Sequence, residues 1–396
     1  MSRPPVPEQE RLVASQRELD ELYEDLRSAG RIALDTEFMR EKTYRAQLCL
    51  VQVANADAVW LVDPLKVDLE PLAQLVSEPG VETVVHAGKQ DFEILNERYG
   101  VVPARPFDVQ LAAAFAGYGA SLPYGRLVET VLGVQLEKGE AYTDWCRRPL
   151  TQSQLHYAAD DVRYLLALAD RLAEELSAKG RLAWFRQEME LAADPSAYGT
   201  APENAWLRVS GRGSLSARQT AVLKELAAWR EQAAARRDLP RGWVLKDPTL
   251  IELARRAPAD EAGLAQVRGL SPAEIKRSGK DILAAIRRGR AAPPVSAAPV
   301  PPRSAQVKAR MVSGLADALV RSRCESAGLA TELVATRGEL EALLAEVFSG
   351  RLDESRHRLL QGWRRDLAGE AVVALARGEI ALRAVARPPY VEEVPL

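Results

Sequence analysis

Two acidic residues, Asp35 and Glu37, lie two positions apart in a stretch whose composition is typical of a β-strand. Side chains of a strand alternate between its two faces, so both carboxylates are expected to project from the same face. Two neighbouring carboxylates repel each other unless a cation lies between them. The pair therefore indicates either a cation site or two solvated charges at a strand end, and the spacing alone favours the second interpretation.

A third carboxylate, Asp91, stands where a helix is expected to begin, shortly after an apolar run that ends at His86. Aspartate is favoured at the N-cap of a helix, so a purely structural role would account for it. The alternative is that Asp91 joins the first two carboxylates.

The last candidates, Tyr157 and Asp161, are four residues apart at the start of a long helical pattern. That spacing places both side chains on one helix face. A phenol beside a carboxylate can orient a water molecule that a metal ion activates. The structural alternative is a half-buried tyrosine next to a surface aspartate.

The order of these elements is more informative than any one of them. A D-x-E strand, then an aspartate opening a helix, then Y-x-x-x-D on a later helix is the arrangement of the DEDD exonucleases. Hydrolysis of a phosphodiester requires charge stabilisation on the attacking and the leaving oxygen, which two divalent ions held by four carboxylates supply. Oxygen ligands favour Mg²⁺ or Mn²⁺ over zinc.

Longer segments around these residues resemble ribonuclease D. The matching segments cover most of residues 31–170, and they are Asp35–Ala54 (DTEFMREKTYRAQLCLVQVA), His86–Leu95 (HAGKQDFEIL), Phe107–Phe115 (FDVQLAAAF) and Tyr142–Leu166 (YTDWCRRPLTQSQLHYAADDVRYLL). Within the third segment, Val109 replaces the usual threonine.

The resemblance implies a role for each acidic residue. Asp35 would bridge both metal ions, and Glu37 and Asp161 would complete the first metal site. Asp91 would serve the second site, directly or through water, and Tyr157 would position the attacking water.

The resemblance also implies the substrate. Thr36 and Phe38 are expected to contact the terminal nucleotide, and His86 is expected near the pocket. The expected activity is hydrolytic 3′→5′ trimming of RNA, especially of tRNA precursors, with release of 5′-phosphomonoesters.

Two residues compete with this assignment. His156 stands five residues before Asp161, which also fits the histidine branch of the DEDD enzymes. Five residues on a regular helix turn through about 500°, whereas the four residues from Tyr157 turn through about 400°, so Tyr157 lies closer to the face of Asp161. The Y-x-x-x-D spacing likewise favours Asp161 over Asp160.

The elements needed to position these residues are present in residues 1–202, where an α/β domain with a mixed sheet is expected. The resemblance makes it ribonuclease H-like. The predicted strands are Arg31–Phe38, Ala46–Ala54, Ala58–Asp63 and Thr83–His86. The predicted helices are Leu12–Ser28, Asp91–Tyr99, Asp108–Gly117, Leu122–Leu132 and Thr151–Glu175.

The remainder of the chain is predicted to be helical. Residues 203–290 resemble an HRDC domain and carry 18 Lys and Arg against 10 Asp and Glu, a net charge of +8, which suits contact with a phosphate backbone. A protein-docking or purely structural bundle is the alternative. Residues 291–302 contain five prolines and are expected to form an extended linker. Residues 303–390 are expected to form a second, more divergent HRDC-like domain, with helices at Val307–Ala327, Arg337–Ser349, Asp353–Ala368 and Gly369–Ala376.

Composition limits the other possibilities. The three cysteines, Cys49, Cys146 and Cys324, are far apart in sequence, so free thiols in a reducing cytoplasm are expected rather than a disulfide. No apolar run is long enough to span a membrane, and the phosphate-binding loop motif of nucleoside triphosphatases, G-x-x-x-x-G-K-[ST], is not present in full. The oligomeric state is left open. Alternative functions are a DNA 3′→5′ exonuclease and a non-catalytic RNA-binding protein.

Overall fold

The computed structural model describes residues 6–40, 42–137, 143–199, 201–295 and 301–396. Among these residues, six strands form one mixed sheet in the order β1-β4-β3-β2-β5-β6. The strands are β1 (Gln9–Val13), β2 (Arg31–Met39), β3 (Gln47–Ala54), β4 (Ala58–Val62), β5 (Glu82–Val85) and β6 (Arg105–Asp108). Strand β3 is antiparallel to β2 and β4, whereas the β1–β4, β2–β5 and β5–β6 pairs are parallel. The predicted mixed sheet is confirmed.

Helices cover both faces of this sheet because its strands alternate between two hydrophobic cores. Ala33 of β2 faces one core, and its neighbours Ile32 and Leu34 face the other. The helices of this part are α1 (Gln16–Ala29), α2 (Glu70–Val76), α3 (Lys89–Tyr99), α4 (Val109–Ala116), α5 (Tyr124–Leu132), α6 (Gln152–Arg163), α7 (Leu165–Ala178) and α8 (Leu182–Ala192). Helix α6 packs across β2, β3 and β4, which brings Tyr157 and Asp161 to the strand that carries Asp35.

The predicted elements of this part differ from the structure in several places. Helix α1 begins later than predicted because Leu12 belongs to β1, and Ser15 then caps the helix by accepting a hydrogen bond from the Glu18 amide. The helix predicted at Thr151–Glu175 is interrupted at Tyr164. Sequence reasoning did not predict β1, β6, α2 and α8.

A helical unit with its own hydrophobic core follows. It consists of α9 (Ala217–Arg237), α10 (Arg241–Val244), α11 (Asp247–Arg256), α12 (Glu261–Ala265) and α13 (Pro272–Ala291). Ser271 caps α13 by accepting a hydrogen bond from the Glu274 amide at 3.1 Å. We call these helices the first helical unit. Residues 296–300 of the proline-rich segment lie outside the described residues.

A second helical unit begins at α14 (Arg303–Ala327) and continues with α15 (Thr331–Val334), α16 (Arg337–Ser349), α17 (Gly362–Arg364) and α18 (Glu370–Arg377). The helix predicted over Asp353–Ala368 is wrong in its first half, where the 3₁₀ turns Glu354–Arg356 and Arg358–Leu360 replace it. Gly362 has a positive φ of 48°, which a right-handed helix does not accommodate, and the helix begins there, with a π-helical turn at Arg365–Gly369 that leads directly into α18. An antiparallel pair, β7 (Ile380–Ala384) and β8 (Val391–Pro395), follows and was not predicted.

The expectation of three free thiols is corrected by the structure. Cys49 of β3 forms a disulfide with Cys146, their Cα atoms lying 4.8 Å apart although 97 residues separate them in sequence. Cys324 is free and buried. The pairing could not be inferred because it depends on a loop returning to the sheet. Among the described helices, none combines the length and the apolar composition needed to cross a membrane.

Candidate active site

Strand β2 presents Asp35 and Glu37 on the face covered by α6. Asp35 lies opposite Gln52 and Glu37 opposite Leu50 in the antiparallel pair with β3, and the register shifts directly after Glu37. Gln52 is fully buried, and its amide nitrogen and oxygen have no hydrogen-bond partner among the described residues. A buried, unpaired amide beside a carboxylate is costly unless a polar group binds between them. Sequence reasoning did not single out Gln52, because its orientation toward Asp35 depends on strand register.

Helix α6 supplies the other half of the site. The Thr151 hydroxyl accepts a hydrogen bond from the Gln154 amide and the Gln154 side chain accepts from the Thr151 amide, a capping box that fixes where the helix begins. Asp161 then meets Asp35 and Glu37, and one carboxylate oxygen of each lies within 4.8 Å of the others. The predicted convergence of these three residues is therefore present in the structure.

Tyr157 lies one helical turn before Asp161 and is half-buried. The Tyr157 ring packs against Trp145, with 6.1 Å between ring centroids. A cavity of about 230 Å³ opens between α6 and the preceding segment, lined in part by Leu136, Tyr157 and Asp161. The phenol and the carboxylate thus face one open space. Trp145 lies within the Tyr142–Leu166 segment that resembles ribonuclease D.

Asp91 approaches the cluster from β5 and α3. Gly88 is the N-cap of α3, so Asp91 lies inside the first turn, and the N-cap interpretation is wrong. Asp91 is only 6% exposed and accepts a hydrogen bond from the Thr36 hydroxyl. Asp91 is not one of the three residues whose oxygens converge within 4.8 Å, but its charge acts on Asp35 and Glu37.

Asp108 shapes the turn before Asp91, and sequence reasoning missed this role. Its carboxylate accepts hydrogen bonds from the amides of Ala87 at 3.0 Å and Gly88 at 3.2 Å, while also capping α4. These bonds hold Ala87 at a positive φ of 56°. The aspartate at the end of β6 therefore sets the start of α3, three residues before Asp91.

The three candidates for substrate contact occupy different surroundings. Thr36 is buried and its hydroxyl donates a hydrogen bond to Asp91, and the half-buried Phe38 ring packs at the edge of the core to which α3 contributes. The His86 Nε2 atom lies 3.0 Å from the Leu122 carbonyl oxygen, and its ring contacts Tyr124 edge-on. Burial lowers the pKa of His86, which favours the neutral imidazole.

Burial and mutual repulsion raise the pKa values of the clustered carboxyls. Burial is the main cause for Asp35, whose pKa lies well above its ordinary value, with further contributions from Asp91, Asp161 and Glu37. The same causes raise the pKa of Glu37 to about 8. Burial raises the pKa of Asp161 to about 7 and that of Asp91 to about 6. A divalent cation relieves this repulsion, so the donor set fits a hard cation.

The two competing residues, His156 and Asp160, also line the cavity that contains Tyr157 and Asp161, but neither belongs to the converging carboxylate set. The His156 ring lies 3.4 Å from Glu10 and 3.7 Å from Asp160. Asp160 accepts a 2.7 Å hydrogen bond from Arg163, which is itself buried. Both residues therefore take part in polar contacts with Glu10 and Arg163.

Comparison with known proteins agrees with this geometry. A family model described as 3′-5′ exonuclease matches residues 11–177. Models described as HRDC domain and as the C-terminal HRDC domain of ribonuclease D match residues 219–286 and 315–372. A half-buried carboxylate cluster on this fold defines a nuclease that acts from the 3′ end and is consistent with divalent cation binding.

The relatives define the family more narrowly. Ribonuclease D from Granulibacter bethesdensis is 38% identical over 377 residues, which cover 94% of this chain and 93% of that protein. Ribonuclease D from Acidiphilium cryptum is 38% identical over 389 residues, covering 97% of each chain. The crystal structure of Escherichia coli RNase D superimposes with a TM-score of 0.81 at 33% identity, covering 93% of this chain and 98% of that one.

The chain belongs to the ribonuclease D family. It is a hydrolytic 3′→5′ exoribonuclease, as the sequence predicts. Two HRDC-type helical domains follow its exonuclease domain.

Proposed function

We propose that this enzyme trims the 3′ ends of stable RNA, in particular tRNA precursors, with two divalent ions held by Asp35, Glu37, Asp91 and Asp161. The convergence of three carboxylates within 4.8 Å carries the proposal, because their raised pKa values make an ion-free cluster unfavourable. The E. coli structure is described as an exoribonuclease involved in structured RNA processing, which supports the substrate class. We further propose domain boundaries at 1–202, 203–290 and 303–390, and a cytoplasmic location.

The residues would divide the work as follows. The charges of both Asp91 and Asp161 act on Asp35, which suits a carboxylate shared by both ions. Glu37 and Asp161 would complete one ion's ligand set, and Asp91 would serve the other. The bound ions, Mg²⁺ or Mn²⁺, would stabilise charge on the attacking and the leaving oxygen.

Tyr157 would orient the attacking water. Burial and the neighbouring carboxylates of Asp161, Glu37 and Asp35 raise its pKa, so the phenol keeps its proton. The phenol can therefore donate a hydrogen bond or hold a water, but it is not a base at neutral pH. Thr36, Phe38 and His86 would lie about the terminal nucleotide, with Thr36 acting through Asp91.

The test is the shortening of a 5′-labelled RNA with a tRNA-like 3′ extension in Mg²⁺ or Mn²⁺. We expect ladders that shorten from the 3′ end and stop in EDTA. Asp35→Asn should abolish shortening while RNA binding persists, and Tyr157→Phe should lower kcat by about 10²-fold with little change in KM. His156→Gln, one position away, should retain activity.

Asp170→Asn is a matched control, because this aspartate of the same domain is 65% exposed. Undiminished shortening by Asp35→Asn, or in EDTA, would overturn the metal mechanism. Equal losses in Tyr157→Phe and His156→Gln would overturn the assignment of the water-orienting residue.

A further inference from the structure

Trp243 has an unusual position for a tryptophan of a helical bundle. Its side chain is 63% exposed, whereas its neighbour Val244 is 4% exposed and belongs to the core of the first helical unit. The short helix α10 that carries both is held firmly, since Arg241 Nε lies 2.7 and 2.8 Å from the two carboxylate oxygens of buried Glu231. An exposed aromatic ring on an anchored backbone presents an accessible π face at a small entropic cost.

A basic cavity lies at the same helix. It has a volume of about 350 Å³ and is lined by Gly242, next to Trp243, and by the exposed residues Arg208 and Lys246. Neither Arg208 nor Lys246 forms an ion pair with any other residue that the structure describes. The cavity's remaining charged side chains neutralise one another in ion pairs. The cavity therefore offers two uncompensated positive charges beside an exposed ring.

Contacts between the first helical unit and the exonuclease domain fix the position of α10. The Tyr44 hydroxyl donates a 2.5 Å hydrogen bond to Glu231, and the Arg241 guanidinium lies 5.3 Å from the centre of the Tyr44 ring. Tyr44 follows β2, the strand that carries Asp35, so the contact joins α10 to the strand of the carboxylate cluster.

A second, electrostatic interaction connects α10 with α3. Arg40 Nη2 lies 3.5 Å from a carboxylate oxygen of Glu97 on α3, and the positive charges of Arg241 and Arg45 also act on that carboxylate. Glu97 is six residues from Asp91 on one helix, or about 9 Å along its axis. The first helical unit therefore acts electrostatically, through Arg241, on the helix that carries Asp91.

We propose that Trp243 and the adjacent cavity form a subsite for single-stranded RNA upstream of the scissile end. One base stacks on the indole, and its phosphate lies between Arg208 and Lys246. This subsite deepens the proposed function, because it would bind the strand whose 3′ end lies at the carboxylate cluster. Stacking accepts any base, so the subsite adds affinity without sequence preference.

The test compares Trp243→Ala, Trp243→Leu and Trp243→Phe in binding a fluorescent single-stranded RNA of about 20 nucleotides, measured by anisotropy in EDTA. We expect Kd to rise about 10-fold in the Ala and Leu variants and to change less than about 2-fold in Phe, which keeps a stacking ring. Arg208→Gln should weaken binding at low salt and lower its salt dependence. Met311→Ala, at an 80% exposed apolar site in the second helical unit, is the matched control.

Shortening assays separate this subsite from the catalytic site. With Mg²⁺ or Mn²⁺, Trp243→Ala should raise KM for the long RNA, leave kcat unchanged, and leave a trinucleotide substrate unaffected. Equal affinity in wild type and Trp243→Ala, or equal losses on the trinucleotide, would overturn the subsite. Failure of the wild type to shorten RNA would instead overturn the proposed function, and binding in EDTA would still report on Trp243.

Discussion

When no cation is bound, the carboxyl groups of the active site hold their protons more strongly than free carboxyl groups do. A protonated carboxyl group is a poor ligand for a cation. Burial and mutual repulsion raise the pKa of Glu37 from 4.5 to about 8 and that of Asp161 from 3.8 to about 7. Binding a cation therefore requires loss of protons, and cation affinity should increase as pH rises through this range.

The same shifts predict how the stability of the metal-free protein depends on pH. Between pH 4.5 and 8 the folded state binds more protons at Glu37 than the unfolded chain does, so stability falls as pH rises. Glu37→Gln removes the carboxyl group whose deprotonation destabilises the folded protein. In EDTA at pH 8 it should raise the free energy of unfolding by about 4 kcal/mol, and near pH 4.5 it should have little effect.

Urea denaturation at the two pH values measures this difference. Glu174→Gln is the control, since its side chain is 73% exposed. If Glu37→Gln raised the free energy of unfolding equally at both pH values, the gain in stability would not come from relief of repulsion within the cluster.

At the scale of single elements, the turn between β5 and α3 positions Asp91. A Cβ atom at Gly88 would lie 2.5 Å from Val85 Cγ2 and 2.8 Å from Val85 Cβ, a distance that van der Waals repulsion does not permit. Gly88→Ala should therefore displace the start of α3, lower the free energy of unfolding by about 1–3 kcal/mol, and reduce RNA shortening.

Gly80→Ala is the matched control, because a Cβ there meets nothing within 4 Å. Its stability in urea denaturation and its activity in the shortening assay should both be close to those of the wild type. A Gly88→Ala protein with wild-type stability and activity would show that the turn adapts without moving Asp91.

Local sequence predicted those parts of the site that depend on the period of a single element. The alternation of β2 placed Asp35 and Glu37 together, and the helical period placed Tyr157 near Asp161. The family resemblance supplied the long-range relation between these elements, which no local pattern contains.

What could not be predicted depends on register and packing between distant segments. The buried amide of Gln52 faces Asp35 only because β3 pairs with β2 in one register. Asp108 reaches the turn before α3 from another strand, and the Cys49–Cys146 disulfide joins the sheet to a loop. Each is a tertiary contact between residues whose types are common elsewhere in the chain.

At the scale of the whole molecule, the two helical units attach to the exonuclease domain differently. The first has a separate core and makes mainly polar contacts around Tyr44. The core of the second is continuous with the core beneath the sheet. Its Trp363 stacks on Trp184 with 5.3 Å between ring centroids and contacts Phe115 at 5.0 Å. The second unit is therefore expected to unfold together with the exonuclease domain.

Glu188 of α8 is the main polar contact at this second interface. It accepts hydrogen bonds from Arg364 at 2.6 and 2.9 Å and from the Trp363 indole at 2.9 Å. Burial alone would raise the pKa of Glu188, but these bonds outweigh burial and lower it. Arg364 is only 4% exposed, so this carboxylate compensates a buried positive charge.

Glu188→Ala leaves Arg364 as an unpaired buried cation, which should cost about 3–5 kcal/mol of stability and release the second unit to proteolysis. Glu190→Ala, an exposed position on the same helix, should behave like wild type. The double variant Glu188→Met, Arg364→Met replaces the ion pair by apolar groups and should recover most of the loss. Thermal unfolding measures the change in stability, and limited trypsin digestion measures the release of the second unit. If Glu188→Ala is as stable and as resistant as Glu190→Ala, apolar packing around Trp363 holds the interface without the ion pair.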